Sequence, residues 1–253
     1  MSNTSPLSLP LRISVHIDPM HQGAPMNDLV IFDCDGVLVD SEILAAEVLS
    51  AELAVFGVSI SPDEVLRGFV GLDERATFAR IEERYGVVLP NDFASRCATS
   101  LRDAFGARLR PMQGIQHLLA HLAVPYCVAS NSSHQRLRVT FASTGLAPFV
   151  EGRVFSADDV ARGKPAPDLF LHAAARMGAR PENCMVIEDS ITGVQAARSA
   201  GMSCIGFCGG SHFRHGHDLR LAFYGAEAIA RSHDELFGLL PVVEPLVRAG
   251  ARR

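Results

Sequence analysis

Read from its amino end, the chain shows no clear hydrophobic period until Leu29-Val30-Ile31-Phe32, an apolar run closed by Asp33-Cys34-Asp35-Gly36. A short, continuously apolar run ending in a turn predicts a strand buried on both faces, as in a parallel sheet. From Ser41 the spacing changes. Ile43, Leu44, Val48, Leu49, Leu53 and Phe56 recur at helical intervals and Gly57 follows, which predicts an amphipathic helix with a glycine stop. Residues 75–85 and 93–105 predict two more helices, and no strand pattern falls between them.

Beyond Pro111 the text alternates. Helices are expected over 115–122, 135–143, 168–177 and 193–200, interleaved with strands over 126–129, 153–156, 185–187 and 203–207. Alternation with short loops predicts an α/β fold: a doubly wound, mainly parallel sheet, with an inserted α-helical cap domain after its first strand. The expected division is a catalytic core from residues 26–40 and 110–243, a helical cap over 41–109 and a tail over 244–253. Residues 1–25, with Pro6, Pro10, Pro19 and Pro25, read as a poorly ordered extension or as an upstream start preceding Met26.

Composition narrows the class. With 48% hydrophobic and 20% charged residues over 253 positions, the chain reads as an ordinary soluble protein, expected as a monomer or weak dimer. A net charge of −5 speaks against a nucleic-acid partner or an anionic membrane surface. No stretch is long enough to span a bilayer, and the first ten residues lack the basic start and apolar core of a secretory signal. The six cysteines, two of them inside apolar runs, are expected as reduced, buried thiols, which fits a cytoplasmic protein. Among 23 basic residues only Lys164 is a lysine.

Ligands of open parallel sheets bind beyond the carboxyl ends of the strands. Four polar sets follow the expected strands: Asp33, Asp35 and Gly36; Ser130 and Asn131; Lys164 in the loop after the third strand; and Glu188, Asp189 and Ser190. All would face one crevice, and together they suit phosphoryl transfer. Clustered acids can hold Mg²⁺, which prefers oxygen ligands. A lysine and hydroxyl or main-chain donors can hold a phosphate. A carboxylate can attack phosphorus and so split one hard step into two. A second carboxylate two residues on can serve as acid and base.

The segment Asp33-Cys-Asp35-Gly-Val-Leu-Val-Asp40-Ser-Glu resembles the first motif of the haloacid dehalogenase superfamily. Ser130-Asn131, Lys164-Pro-Ala-Pro-Asp and Glu188-Asp189-Ser190 resemble its other three motifs, in order. The helical insert resembles the cap of the branch that holds β-phosphoglucomutase, phosphoglycolate phosphatase and sugar phosphatases. The resemblance implies a magnesium-dependent phosphatase in which Asp33 is the nucleophile and Asp35 the acid/base. It further implies that Asp33, the Asp35 carbonyl and Asp189 hold Mg²⁺ with Glu188 close by, and that Ser130, Asn131 and Lys164 bind the phosphate. The implied substrate is a small phosphorylated metabolite, such as a sugar phosphate or a phosphorylated sugar acid of the 6-phosphogluconate kind.

Other readings fit less well. A calcium loop places its glycine sixth, between helices, whereas Gly36 is fourth after a strand. Cys204-x-x-x-Cys208 with His212, His215 and His217 invites zinc, but the spacing matches no standard finger and a structural loop is favoured. Asp35 and Asp189 are superfluous for dehalogenation. The expected cap has no lysine, which phosphonate-cleaving members and β-phosphoglucomutases use, and Ala45 stands where the mutases carry a histidine. A non-catalytic descendant on the same fold would have lost one of the acids or Lys164. Residues 70–75 read as a cap loop over the crevice, with Arg75 as a candidate partner for a second anionic group of the substrate.

Overall fold

The computed structural model describes residues 28–69, 74–213 and 216–243. Six strands form one sheet: β1 (Leu29–Phe32), β2 (Tyr126–Ser130), β3 (Val154–Ser156), β4 (Cys184–Glu188), β5 (Ser203–Phe207) and β6 (Ala228–Ala230). The order is β3-β2-β1-β4-β5-β6, and every neighbouring pair is parallel. The reversal of strand order lies at β1, between β2 and β4, which is where such sheets open a crevice.

The uninterrupted apolar runs follow from burial on both faces. Val30 and Phe32 point into one hydrophobic cluster and Leu29 and Ile31 into the other. Helices α5 (Ile115–His121), α6 (His134–Thr144) and α11 (His233–Leu239) cover the first face through Leu118, Leu137, Phe141 and Leu236. On the opposite face α8 (Asp168–Met177), α9 (Ile191–Ser199) and α10 (His217–Tyr224) pack Phe170, Val194 and Leu221. A short helix, α7 (Ala147–Val150), precedes β3.

Between β1 and α5 stand four helices: α1 (Glu42–Val55), α2 (Pro62–Phe69), α3 (Glu74–Tyr85) and α4 (Phe93–Arg108). They bury a cluster of their own around Leu53, Ile81 and Phe93, with Phe56 and Phe78 edge-on to Phe93 at 5.6 and 5.1 Å. The chain leaves and re-enters the core at one place. Val39 bridges Pro111, and the Met112 N–H donates to the Leu38 carbonyl at 2.9 Å.

The expected alternation is present, with differences. Helix α2 was not anticipated, although Ser61 and Glu64 form the reciprocal side-chain to main-chain bonds of a capping box with Pro62 at the first turn. Elements α7, α10, β6 and α11 are also additions, short enough that their periodicity is faint. Strand β2 runs one residue further than expected and β4 one residue further at each end, so Ser130 and Glu188 are themselves in the sheet. All six cysteines are free thiols, four of them buried. Among the described residues no helix is long and apolar enough to cross a membrane.

Candidate active site

Strands β2 and β4 end in the polar Ser130 and Glu188, Asp33 directly follows β1, and these endings converge on one crevice. The Asp33 N–H adds one more rung to β1 by donating to the Ile187 carbonyl at 2.9 Å, and the chain then turns through Gly36 at φ +78°. A β-carbon at residue 36 would stand 1.8 Å from Asp189 Oδ2, so glycine is required both by the backbone angle and by the close approach of this acid. Gly193, in the first turn of α9, plays the same part for Glu188, whose carboxyl carbon would meet an added Cβ at 1.8 Å.

Lys164 enters from the loop between β3 and α8. Its Nζ donates to Asp33 Oδ1 at 2.6 Å, Glu188 Oε1 at 2.6 Å and the Ala129 carbonyl at 2.8 Å, using all three ammonium protons. The side chain is 3% exposed and the Phe170 ring centroid lies 4.7 Å from Nζ. A compact charge with three diverging donors fits this space where a planar guanidinium would not, which accounts for the lysine in an arginine-rich chain. Asn131 fixes the lysine from below: its amide nitrogen donates to the Lys164 carbonyl at 3.0 Å and its Oδ1 accepts from the Lys164 N–H at 2.8 Å. The Asn131 side chain is thus engaged with the main chain of Lys164. Ser130, buried in β2, accepts from the Ser132 N–H at 3.1 Å and lines the crevice with Asn131.

Asp33, Glu188 and Asp189 each offer an oxygen within 4.8 Å of the others, and all three are buried. Burial drives the Asp33 carboxyl upward. Lys164 opposes that and Glu188 and Asp35 add to it, leaving the group at about 7. Asp189 is raised well above the carboxylate range, first by burial and then by Glu188 and Asp33. Burial would push Lys164 down, but Asp33 and Glu188 more than reverse it and hold the ammonium above the usual lysine range. Three carboxyls around one ammonium leave the cluster short of positive charge. An all-oxygen donor set with that deficit fits a hard divalent cation.

Asp35 faces a different set. Its Oδ1 accepts from Ser41 at 2.5 Å and from Arg136 at 3.0 Å, and its Oδ2 accepts from Ser132 at 2.8 Å. Burial alone would raise this carboxyl, but the Arg136 charge and the three side-chain donors outweigh it and hold Asp35 below the usual range. The Arg136 guanidinium lies 5.2 Å from the Phe105 ring of α4, so one cation touches both the core acid and the helical insert. Sequence reading missed Arg136, Ser41 and Ser132. The available signal was a base in the first turn of α6, where the helix dipole disfavours positive charge unless a partner holds it.

A cavity of 1420 Å³ lies over these groups, roofed by Leu49, Leu66, Phe69 and Leu101 of the insert. Arg75 does not line it and is exposed in the first turn of α3, whereas its neighbour Glu74 does line it. The rest of the expected cap loop, residues 70–73, lies outside the described residues. Among the described residues the zinc candidates form no cluster of ligands. Cys204 points into the core, while His212 and His217 reach the crevice; His215 lies outside the described residues.

Comparison with known proteins identifies the family and the fold. The family model for haloacid dehalogenase-like hydrolases matches residues 27–201. A 6-phosphogluconate phosphatase of Escherichia coli is 31% identical over 186 residues, spanning 73% of this chain and 84% of that protein. A haloacid dehalogenase-like protein of unknown function from Agrobacterium tumefaciens superposes with a TM-score of 0.77 at 38% identity, covering 84% of this chain and 96% of the other. A family hydrolase from Deinococcus radiodurans, solved with bound phosphate and sodium, gives a TM-score of 0.73 at 33% identity over 86% and 98% of the two chains.

Proposed function

The chain belongs to the haloacid dehalogenase-like hydrolases, and from that premise we propose that it cleaves a small phosphomonoester through a transient aspartyl phosphate on Asp33. The observation that carries the reading is the buried Asp33–Lys164–Glu188 ion triad beside Asp189 at the strand ends. This supports reading Asp33 as the nucleophile, Lys164 as the cation beside it and Asp189 as a further acid for the metal, all in one crevice.

In this reading Asp33, the Asp35 carbonyl and Asp189 would hold Mg²⁺, with Glu188 tied to Lys164 and to Ser190. When bound, Mg²⁺ supplies the positive charge that lets a carboxylate approach an anionic phosphate. Asp33 attacks phosphorus, the ester P–O bond breaks, and Asp35 gives its proton to the departing alkoxide. Water then loses a proton to Asp35 and attacks the acyl phosphate, whose P–O bond to Asp33 breaks as inorganic phosphate leaves. Ser130 contacts the transferred group, Lys164 does so on releasing one of its present acceptors, and Asn131 acts by holding the main chain of Lys164. The partners of Asp35 in this structure favour its ionised state, which suits the second, basic half of the cycle. To act as the acid it must exchange Arg136 for a proton and the leaving group.

The substrate class we infer is a sugar phosphate or a phosphorylated sugar acid. Support comes from the E. coli relative's activity on 6-phosphogluconate and from a cavity with room for more than a phosphate. A mutase draws less support, because Ala45 faces the cavity from α1 and offers no acid–base group. The test is phosphate release from a panel of phosphorylated sugars and sugar acids, with Mg²⁺, with chelator, and for Asp33→Asn. Metal-dependent turnover that vanishes in the variant is expected; turnover that survives in Asp33→Asn would sink the mechanism.

A further inference from the structure

The histidine-bearing loop between β5 and α10 has no part in the chemistry above, yet it closes on one of its acids. The His212 side chain is 5% exposed, and its Nε2 stands 3.6 Å from Asp189 Oδ2. From the other end of the loop, the His217 Nε2–H donates to the main-chain carbonyl of Asp189 at 2.7 Å. Phe213 packs between the two imidazoles, with centroids 4.0 Å from His212 and 4.5 Å from His217. Gly210 leaves space for the arrangement, since a β-carbon there would stand 2.8 Å from the His212 ring. The Ser211 N–H is directed at Asp40 Oδ1, 3.4 Å away, near the start of the insert.

Asp189 is therefore enclosed. Its carboxylate has the Gly36 backbone on one side, close enough that a methyl would clash, and the His212 imidazole on another; its carbonyl is tethered by His217. A buried carboxylate beside Glu188 and Asp33 is pushed by like charge to turn away from them. A clamp that removes that freedom keeps its oxygen within reach of the shared cation position before any cation arrives.

We propose that His212 and His217, braced by Phe213, are positioning residues that hold Asp189 ready for the divalent cation. The inference rests on Asp189 being part of the cation site proposed above. Its test is direct binding of Mn²⁺ to the full chain without substrate, read from the free-ion electron paramagnetic resonance signal. Magnesium activation of phosphate release is measured alongside. His212→Leu is expected to weaken Mn²⁺ binding about 10–100-fold and to raise the Mg²⁺ requirement in step, as loss of a group supporting a metal ligand does. His212→Gln, which keeps a polar nitrogen at similar reach, should recover most of the loss. His217→Leu should show the same weakening, and it answers the question if His212→Leu does not fold. Wild-type Mn²⁺ affinity in His217→Leu and in a folded His212→Leu would overturn the clamp, and so would equal loss in the Leu and Gln variants at 212. If the unaltered chain neither binds Mn²⁺ nor releases phosphate, the phosphatase reading fails instead.

Discussion

Replacing Lys164 by methionine keeps the length and apolar stem of the side chain and deletes the ammonium that Asp33 and Glu188 share. At an effective dielectric of about 20, Coulomb's law assigns roughly 6 kcal/mol to each 2.6 Å contact before the cost of burial is subtracted. Desolvation of three ions offsets most of that sum. Removing one partner of such a buried group leaves uncompensated charge, which costs about 3–5 kcal/mol. The variant has an escape, since its carboxylates can take up protons. Asp33 sits at about 7 even with the lysine present, and deleting the lysine moves it higher. A carboxyl raised in the folded state binds more protons than in the unfolded chain, so stability falls as pH rises from the unfolded value towards the folded one. The deficit of Lys164→Met should therefore be small near pH 5 and grow as pH rises through and above about 7. Urea unfolding followed by far-UV circular dichroism, in chelator, reads this directly; the chain has no tryptophan for fluorescence. A pH 8 deficit below about 1 kcal/mol, or one that shrinks as pH rises, would show that the triad is not the buried ion cluster described.

Other outcomes follow from single distances. Gly36→Ala drives a methyl against Asp189 Oδ2 at a positive φ, so a folded variant should lose at least about 10²-fold in magnesium-dependent kcat/KM, the cost of displacing a site group by about 1 Å. Full activity would mean that Asp189 tolerates another position. Asn131→Ala unties both main-chain atoms of Lys164 and should cost about 1–3 kcal/mol, visible as weaker inhibition by inorganic phosphate and a lower urea midpoint; an unchanged phosphate affinity would detach Asn131 from the site. His233, 3% exposed against Phe207, is lowered by burial, with the Gln113 carbonyl acting the other way. The unfolded chain then takes up a proton first, so stability should decline below about pH 6.5, and His233→Leu should flatten that decline. Parallel curves for the two proteins would refute this assignment.

How much could be read beforehand depended on where the chemistry sits relative to a strand. Asp33, Ser130, Glu188 and Asp189 end or follow apolar runs that burial on two faces makes conspicuous, so their convergence followed from parallel-sheet topology. Lys164 was singled out by its rarity. Arg136 had neither advantage: it stands on a helix among many arginines, and its pairing with Asp35 spans 101 positions. The histidines of residues 212–217 drew notice as a zinc candidate, but their spacing matched no standard finger and they read as a structural loop. Only the fold reveals that His212 and His217 address an existing acid. Arg75 is the converse case, a plausible charge whose placement depends on which side of α3 faces the crevice. Helix α2 went unread because eight residues hold too few apolar positions, although its capping box was in plain view.

The stitch between Val39 and Pro111 has a wider meaning. Since the path out of the sheet and the path back lie side by side, the four helices hang from a single doorway and the strands need no rerouting to accommodate them. A gene could acquire, trade or shed such an appendage in one event, inheriting new substrate tastes while Asp33 and Lys164 stay where they are. The same doorway lets the apolar face of Leu44 and Phe105 lean on the main core, so a shortened descendant would have to refill that corner before it could stand alone.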